Sequence, residues 1–340
     1  MKQLLLIISI IAANTLVAQY VSPFNGLNVK EDSTGNYKFI ISGHFYGGSA
    51  NSSGYPTNTL LANIDWINSE NPTMLVCLGD LFLDVRNDIP YYERSLFSKL
   101  NVPLINSVGN HDLSGDVYQE NYGNTYGSFE LNGDLHVILD TELDDGDIND
   151  DQLSMIQGIS KNQYNNVFVY AHRTIWKSQY PEMEGIFEDN TQSLLANNFE
   201  SDVYPLVKEI SKHTSVYWFA GSLGDAPASF FYHQDGNIQF IATAIRGLKR
   251  DAFLLVDVKD GEATFTTHSL TGQDLEELTY YNVDFWQENV GKEPFNWRLL
   301  PLYIKQTVLS WSFFFGALSA SLFIGFIYLI RKKRKARIKP

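Results

Sequence analysis

Apolar runs of five to seven residues alternate with polar, glycine-containing loops through the first half of the chain. Such runs lie at 37–41, 73–78 and 102–108, and apolar residues at helical spacing lie between them, near 60–67 and 91–100. Short apolar runs bounded by turn residues are typical of buried strands. The alternation predicts strands joined by helices, and therefore a largely parallel or mixed sheet covered by helices.

The second half of the chain predicts more hairpins. The dipeptide Asn132-Gly133, which is typical of a two-residue hairpin turn, separates strand-like runs at 127–131 and 135–140. Asp235-Gly236 separates a second pair of runs in the same way. These signals favour a mixed sheet. The remaining strand-like runs are 167–170, 216–220, 229–233, 237–242, 253–258 and 263–268.

The first 18 residues have the pattern of a secretory signal peptide. Lys2 precedes an apolar run at 4–13, and Leu16-Val17-Ala18 offers a small-residue cleavage site. The run is too short to span a bilayer, which argues against a first membrane helix. We expect cleavage after Ala18 and export of the mature chain.

A second apolar segment, 308–330, has no charged residue. At about 1.5 Å per residue, a helix of this length would reach roughly 35 Å, enough to cross a membrane. Trp311 and Tyr328 lie near its two edges, and the basic tail 331–340 that follows marks the cytoplasmic side. The sequence predicts a single-pass anchor, a globular domain in the periplasm or at the cell surface, and a cytoplasmic tail. The segment 271–305 is predicted to be either a packed connector or a stalk.

The outer part of the mature chain is strongly acidic. The tail holds seven of the 25 basic residues and the signal peptide one, so 17 basic residues face all 39 acidic ones and the net charge is near −22. A surface of this charge repels polyanions, which excludes nucleic acid as the expected partner. The lone cysteine, Cys77, excludes an intramolecular disulfide, and its position in an apolar run predicts a core residue.

Five of the predicted strands end in loops whose side chains can bind a metal ion or transfer a proton. Side chains at the carboxyl ends of neighbouring parallel strands meet at one edge of a sheet. In chain order the loops contain Ser42-Gly43-His44, Gly79-Asp80, Gly109-Asn110-His111-Asp112, His172, and Gly221-Ser222-Leu223-Gly224.

This order of loops resembles the calcineurin-like metallophosphoesterase family, whose motifs run Asp-x-His, Gly-Asp-x-x-Asp, Gly-Asn-His-Asp/Glu, a lone His after a strand, and Gly-His-x-His. The resemblance spans about residues 37–268. It implies an α/β fold, an α+β sandwich, over residues 30–270, with mixed β-sheets flanked by helices. It also implies metal-dependent hydrolysis of a phosphate mono- or diester, in which two metal ions polarise the phosphoryl group and activate the attacking water.

The resemblance assigns metal-binding roles to four residues of this chain. Asp80 would bridge the two ions, and Asn110 and His172 would bind the second ion. His44 would bind the first ion.

The resemblance assigns proton transfer to His111. This residue would not be a ligand but would face the phosphate or the leaving group as a proton donor. Asp112 would orient its ring.

Several ligands of the family are replaced in this chain. Ser42 stands where the family has the Asp of Asp-x-His, and Ser222 and Gly224 stand where it has the two His of Gly-His-x-His. Divalent metals need about four to six donors, and hydroxyl side chains substitute poorly for carboxylate and imidazole. We therefore expect one divalent ion rather than two, with manganese, iron and zinc as candidates.

Two loops leave alternatives open. In the first loop, one alignment puts Ser42 and His44 in the Asp and His positions of Asp-x-His. The other, shifted by one residue, puts Gly43 and Phe45 there. In the second, Leu83 stands where the family has its second Asp, and Asp84 follows.

Two functions of different class follow from this pattern. The first is an exported, membrane-anchored phosphoesterase-like enzyme with a phosphate-ester substrate. The second is a catalytically inactive pseudo-phosphoesterase that serves as a binding or assembly module for a protein partner at the cell envelope. Retention of Asp80, Asn110, His111 and His172 favours the first, and the replaced ligands favour the second.

Overall fold

The computed structural model describes residues 20–48, 51–159, 164–187, 197–224, 226–289, 313–316, 318–325 and 328. The chain divides into two compact units, Met1–Lys292 and Glu293–Pro340. The described residues of the second unit are helical, and no helix in the described part of the chain is long and apolar enough to cross a membrane. The predicted span 308–330 is described only in part, and the predicted signal peptide 1–18 and tail 331–340 lie outside the described residues.

The described residues of the first unit form eleven strands and seven α-helices. The strands are β1 (Tyr37–Ser42), β2 (Met74–Cys77), β3 (Leu104–Asn106), β4 (Gly127–Leu131), β5 (Asp134–Ile138), β6 (Asn166–Ala171), β7 (Ser215–Ala220), β8 (Phe230–Asp235), β9 (Ile238–Thr243), β10 (Ala252–Lys259) and β11 (Glu262–Ser269). The helices are α1 (Asn58–Leu61), α2 (Ile64–Glu70), α3 (Val85–Ser95), α4 (Val117–Tyr122), α5 (Asp150–Ile159), α6 (Tyr204–Ile210) and α7 (Val283–Asn289).

The strands form two mixed sheets. In the first, ordered β11-β10-β1-β2-β3, strands β1, β2 and β3 are parallel and β10 pairs antiparallel with both of its neighbours. In the second, ordered β4-β5-β6-β7-β9-β8, the four central strands are parallel and the two edge strands are antiparallel to them. The predicted mixed α/β architecture with sheets flanked by helices is confirmed.

Three hydrophobic clusters divide the first unit into layers. One lies between the sheets, where Phe39 of β1 meets Phe168 of β6 edge to face with ring centroids 5.4 Å apart. A second packs α1 to α4 against the outer face of the first sheet, and a third packs α5, α6 and α7 against the second sheet. The result is a four-layered α/β/β/α sandwich.

A buried polar chain crosses the layer between the two sheets. The Tyr37 hydroxyl donates to Asp134 Oδ2 at 2.6 Å and lies 3.1 Å from Nε2 of His136. The other ring nitrogen of His136 lies 2.8 Å from the Tyr170 hydroxyl. All four side chains are buried, and such groups stay in a core because each finds a partner there.

Helix α3 begins six residues before the predicted helical pattern at 91–100. The Asp84 carboxylate accepts the N–H of Arg86 and so satisfies a backbone donor of the first turn, which fixes the start of the helix. The apolar run 102–108 contains only the short strand β3, and its ends are buried loop residues.

Part of the predicted connector 271–305 belongs to the first unit and packs on its sheets. Leu278, Tyr281 and Trp286 are buried against the sheets. The indole N–H of Trp286 donates to the carbonyl of Phe230 at 2.9 Å, which ties α7 to β8. Residues 290–305 lie outside the described part.

Candidate metal centre

The sequence-predicted loops meet at the carboxyl ends of the parallel strands. Ser42, Cys77 and Asn106, the last residues of β1, β2 and β3, lie side by side in the register of the first sheet. His172 follows the last residue of β6 in the second sheet, and its carbonyl accepts the N–H of Gly221 after β7. Both sheets therefore present their strand-end loops to one region, as parallel strands do at ligand sites.

Three side chains from different strand-end loops converge there. His44, Asp80 and His172 each offer a ligand atom, and these atoms lie within 4.8 Å of one another. Nδ1 of His44 is 3.3 Å from Asp80 Oδ2, and Nε2 of His172 is 3.6 Å from Asp80 Oδ1. Both imidazoles thus face the same carboxylate, and together the three can hold one divalent ion.

The hydrogen bonding of this cluster fits a metal site. Both ring nitrogens of His44 and Nε2 of His172 are buried and form no hydrogen bond with the residues that the structure describes. Leaving a buried polar atom without a partner costs about 1–3 kcal/mol. Imidazole nitrogens and a carboxylate are suitable ligands for zinc, iron or manganese, and coordination would give one nitrogen of each ring a partner.

The ring of His172 is oriented by the chain itself. Its Nδ1 lies 2.8 Å from the carbonyl oxygen of Leu78. A carbonyl can only accept, so Nδ1 carries the proton and Nε2, the atom nearest Asp80, keeps its lone pair free in the neutral ring. A histidine fixed in this way is a typical metal ligand with its supporting hydrogen bond in place.

The charges within the cluster favour the ligand forms of its members. Burial opposes ionisation of Asp80, but the nearby His172 and His44 outweigh it and lower the pKa of the Asp80 carboxyl. Burial, partly offset by Asp80, lowers the pKa of His44 well below its ordinary value. Asp80 is therefore a carboxylate and His44 a neutral imidazole at neutral pH, and both forms bind metals.

The backbone around the cluster is in an unusual conformation. His44, Gly79 and Asp80 have φ values of 57°, 83° and 55°, in the left-handed region that non-glycine residues rarely adopt. A Cβ atom on Gly79 would lie 2.5 Å from Nδ1 of His172, and one on Gly109 would lie 2.4 Å from Asp80 Oδ1. Both glycines are thus required for the close approach of backbone and ligand side chains.

The loop 109–112 closes over Asp80. The backbone N–H of His111 donates to Asp80 Oδ1 at 3.1 Å, and Gly109 packs against the same oxygen. Asn110, the remaining predicted ligand, lies between these two residues and is half-buried. The backbone of Asn110 therefore lies close to Asp80 and His172, the two residues with which it was expected to bind an ion.

Asp112 has a different role from the one the resemblance implies. Its carboxylate accepts the N–H groups of Phe82 and Gly109, both at 2.9 Å, and the amide of Asn106 at 3.2 Å. The His111 ring instead places Nδ1 3.1 Å from the carbonyl of Leu83. Asp112 is fully buried beneath the loop, so it holds the loop backbone rather than the ring.

The structure also decides the register of the first loop. His44 faces Asp80, whereas Phe45 is fully buried and packs near Phe253 with ring centroids 6.1 Å apart. Ser42 therefore stands at the position that the resemblance assigns to the Asp of Asp-x-His. Its hydroxyl is buried 3.5 Å from that of Thr243, so the end of β1 contributes no carboxylate.

Other residues beside the motifs serve structural purposes. Asp84 caps α3 and does not reach the cluster. Arg173, next to His172, forms a two-point ion pair with Glu142 through Nε at 2.8 Å and Nη2 at 2.5 Å.

The ring of His268 stacks on Trp66 with centroids 3.6 Å apart. Asp225, beside the last motif, lies outside the described residues.

Two further residues of this region were not found from the sequence. The ring of Tyr46 lies between two histidines, with centroids 5.0 Å from His111 and 5.6 Å from His44. Arg246 lies in the loop after β9, where Ile245 N donates to Gly43 O at 3.1 Å. The spacing of Tyr46, two residues after His44, is a signal that could have found it, whereas Arg246 belongs to no motif.

Comparisons with known proteins add no family assignment. A scan against protein-family models finds no match, and a search of curated proteins finds no significant match.

Proposed function

We propose that this chain is an exported, membrane-anchored metallophosphoesterase-like enzyme that uses one divalent ion to hydrolyse a phosphate mono- or diester. The observation that carries the proposal is the convergence of three buried ligand atoms, one ring nitrogen each of His44 and His172 and one carboxylate oxygen of Asp80. The order of the strand-end motifs supplies the reaction class. The predicted signal peptide and apolar segment 308–330 supply the location.

A divalent ion bound by these residues would act as a Lewis acid on a phosphoryl oxygen. Asp80 is a carboxylate inside a buried site, where its pKa is lowered and its Oδ1 accepts the backbone N–H of His111. His172 presents a fixed lone pair, since Leu78 holds its other nitrogen. Asn110, half-buried in the loop that covers Asp80, would add an amide oxygen to the ligand set.

His111 is the best candidate for proton transfer. Its Nδ1 donates to the carbonyl of Leu83, so Nε2 is the ring nitrogen that can exchange a proton with a substrate. In the imidazolium form, Nε2–H can donate a proton to a leaving oxygen. The half-buried ring stays in reach of substrate, unlike the buried ligands.

Metal content and turnover of the same preparations test this proposal. We expect about one equivalent of transition metal in the purified full chain and metal-dependent hydrolysis of an aryl phosphate. Asp80→Ala should lose both, and His111→Ala should keep the metal and lose turnover by about 100-fold or more, the usual worth of a general acid. Asp116→Ala and His213→Ala, which replace exposed residues, are the matched controls.

A second candidate is the pseudo-phosphoesterase, a binding or assembly module at the cell envelope. The observation that favours it is the buried hydroxyl of Ser42 beside Thr243, in place of the family's carboxylate. This candidate predicts a chain without stoichiometric metal and without turnover at any pH, and a partner protein recovered by cross-linking. If the chain binds one ion tightly but shows no turnover, the pseudo-phosphoesterase would be a binding module that the metal stabilises.

A further inference from the structure

One positive charge near the candidate metal centre, that of Arg246, has no acidic partner among the residues that the structure describes. Nε of Arg246 is buried and makes no hydrogen bond, and no acidic side chain in the described part of the chain pairs with its guanidinium. A buried donor without a partner is costly, and the planar donor fork of an arginine matches the oxygens of a phosphate. The position of Arg246 therefore calls for a functional explanation.

The backbone that carries Arg246 is fixed against the first metal-site loop. Gly43 bridges to Ala244 beyond the end of β9, and Ile245 N donates to Gly43 O. On the other side, a Cβ atom on Gly48 would lie only 3.2 Å from the Arg246 carbonyl oxygen. The loop that carries Arg246 thus packs along the same stretch that carries His44.

Asp251 holds the Arg246 loop in place without neutralising the side chain. Its two carboxylate oxygens accept the backbone N–H groups of Arg246 at 2.9 Å and of Gly247 at 2.8 Å. The Thr59 hydroxyl donates to the same carboxylate at 2.6 Å. The backbone is therefore anchored, and the guanidinium charge remains available.

Tyr46 offers a second donor on the loop that the Arg246 backbone contacts. A Cβ atom on the next residue, Gly47, would lie 3.6 Å from the carbonyl carbon of Arg246. The ring centroid of Tyr46 lies 5.0 Å from that of His111, and its hydroxyl makes no hydrogen bond to the residues that the structure describes.

We propose that Arg246 binds the non-bridging oxygens of a phosphoryl group beside the cluster of His44, Asp80 and His172. The loop that carries Arg246 pairs with Gly43, next to Ser42, which stands where the resembled family has a carboxylate for its first metal. The guanidinium would supply part of the positive charge that a second ion would bring. The Tyr46 hydroxyl is the neighbouring donor. The inference rests on the proposed function, because it names the group that recognises the phosphate of that substrate.

Binding of inorganic phosphate tests this role without requiring turnover. Isothermal titration would compare the manganese-loaded full chain, its Arg246→Gln variant and its Arg246→Lys variant. We expect Arg246→Gln to weaken phosphate binding by about 10- to 100-fold, the range for losing a charge-assisted hydrogen bond. Arg246→Lys should recover only part of it, since lysine keeps the charge but not the two-point geometry.

A matched control comes from the same loop. Lys249→Gln removes one positive charge from an exposed side chain and should leave phosphate affinity unchanged at fixed ionic strength. Manganese affinity and thermal unfolding should be the same in all variants, because Asp251 holds the backbone and not the guanidinium. A loss common to Arg246→Gln and Lys249→Gln would indicate general screening and overturn the inference.

The possible failures are distinguishable. If manganese binds but phosphate affinity is unchanged in Arg246→Gln, the inference fails and the metal site stands. If the wild-type chain binds no metal, the proposed function fails, and the same comparison on the metal-free chain decides the inference. Equal phosphate affinity of the metal-free wild-type and Arg246→Gln chains overturns the inference. A loss of affinity in Arg246→Gln but not in Lys249→Gln supports it.

Discussion

Nδ1 of His172 lies 2.8 Å from the carbonyl oxygen of Leu78, although the two residues are 94 positions apart in the chain. This contact joins the end of β6 in one sheet to the end of β2 in the other. It aims Nε2 of His172 at Asp80, which follows Leu78 by two residues. The candidate metal centre therefore depends on how the two sheets pack, not on either sheet alone.

Replacement of Gly79 should disturb this contact. In Gly79→Ala the new Cβ would lie 2.5 Å from Nδ1 of His172 and 2.7 Å from the carbonyl of Ser107, so the histidine ring must move. We expect about 10- to 100-fold weaker metal binding, the usual cost of losing the support of a ligand, and destabilisation by about 2 kcal/mol. Metal titration and thermal unfolding measure the two effects.

The control for Gly79→Ala is Gly123→Ala. Gly123 has the same φ of 83°, but no atom lies within 4 Å of its hypothetical Cβ. This variant should also lose stability, by about 1–3 kcal/mol for the backbone strain, and should keep its metal affinity. Equal metal affinities in the two variants would contradict the steric role of Gly79.

Asp84 should affect stability and leave metal binding unchanged. Its carboxylate caps α3, so Asp84→Ala should lower the free energy of unfolding by about 1 kcal/mol, while Asp84→Asn, which can still accept from Arg86, should change it much less. Urea unfolding and metal titration of both variants check this prediction. A weaker metal affinity in Asp84→Asn would contradict a purely capping role for Asp84.

His136 should make the protein less stable in acid. Its complete burial lowers its pKa to about 3, so it stays neutral in the folded state, whereas in the unfolded state it titrates near its ordinary value of 6.5. Between these two values the unfolded state binds the extra proton. Stability from this residue is therefore present above about pH 6.5 and is lost as the pH falls towards 3, by about 1.4 kcal/mol per pH unit.

The variant His136→Gln tests this dependence. Between pH 5 and pH 7, the free energy of unfolding in urea should depend less steeply on pH in this variant than in the wild-type chain. The altered contact with Tyr170 changes the absolute stability but not this slope. His213→Gln, which removes an exposed histidine, is the control for the loss of a histidine as such. An unchanged slope in His136→Gln would refute the prediction.

Cys77 should be inert in the folded protein. It is fully buried in β2, and burial raises the pKa of its thiol well above the ordinary value. Reaction with an aromatic disulfide reagent should therefore follow unfolding rather than precede it. Modification at the same rate in native buffer and in denaturant would contradict this expectation.

The local features of this protein were predictable from its sequence. The apolar runs that became β1, β2, β6 and β7 carry a pattern set by their own residues and their immediate neighbours. The hairpin turn at Asn132-Gly133 and the burial of Cys77 follow from equally local signals. Because the site residues sit at strand ends, the sequence could also name His44, Asp80 and His172 as candidates.

Only the tertiary structure decided how those candidates act together. The sequence assigned His44 and His172 to different ions, whereas the packing of the two sheets brings both to the same carboxylate of Asp80. It likewise buries Asp112 under its loop and brings Arg246 alongside the first loop. Distances between residues far apart in the chain depend on the packing of whole sheets, a property that short-range sequence patterns do not contain.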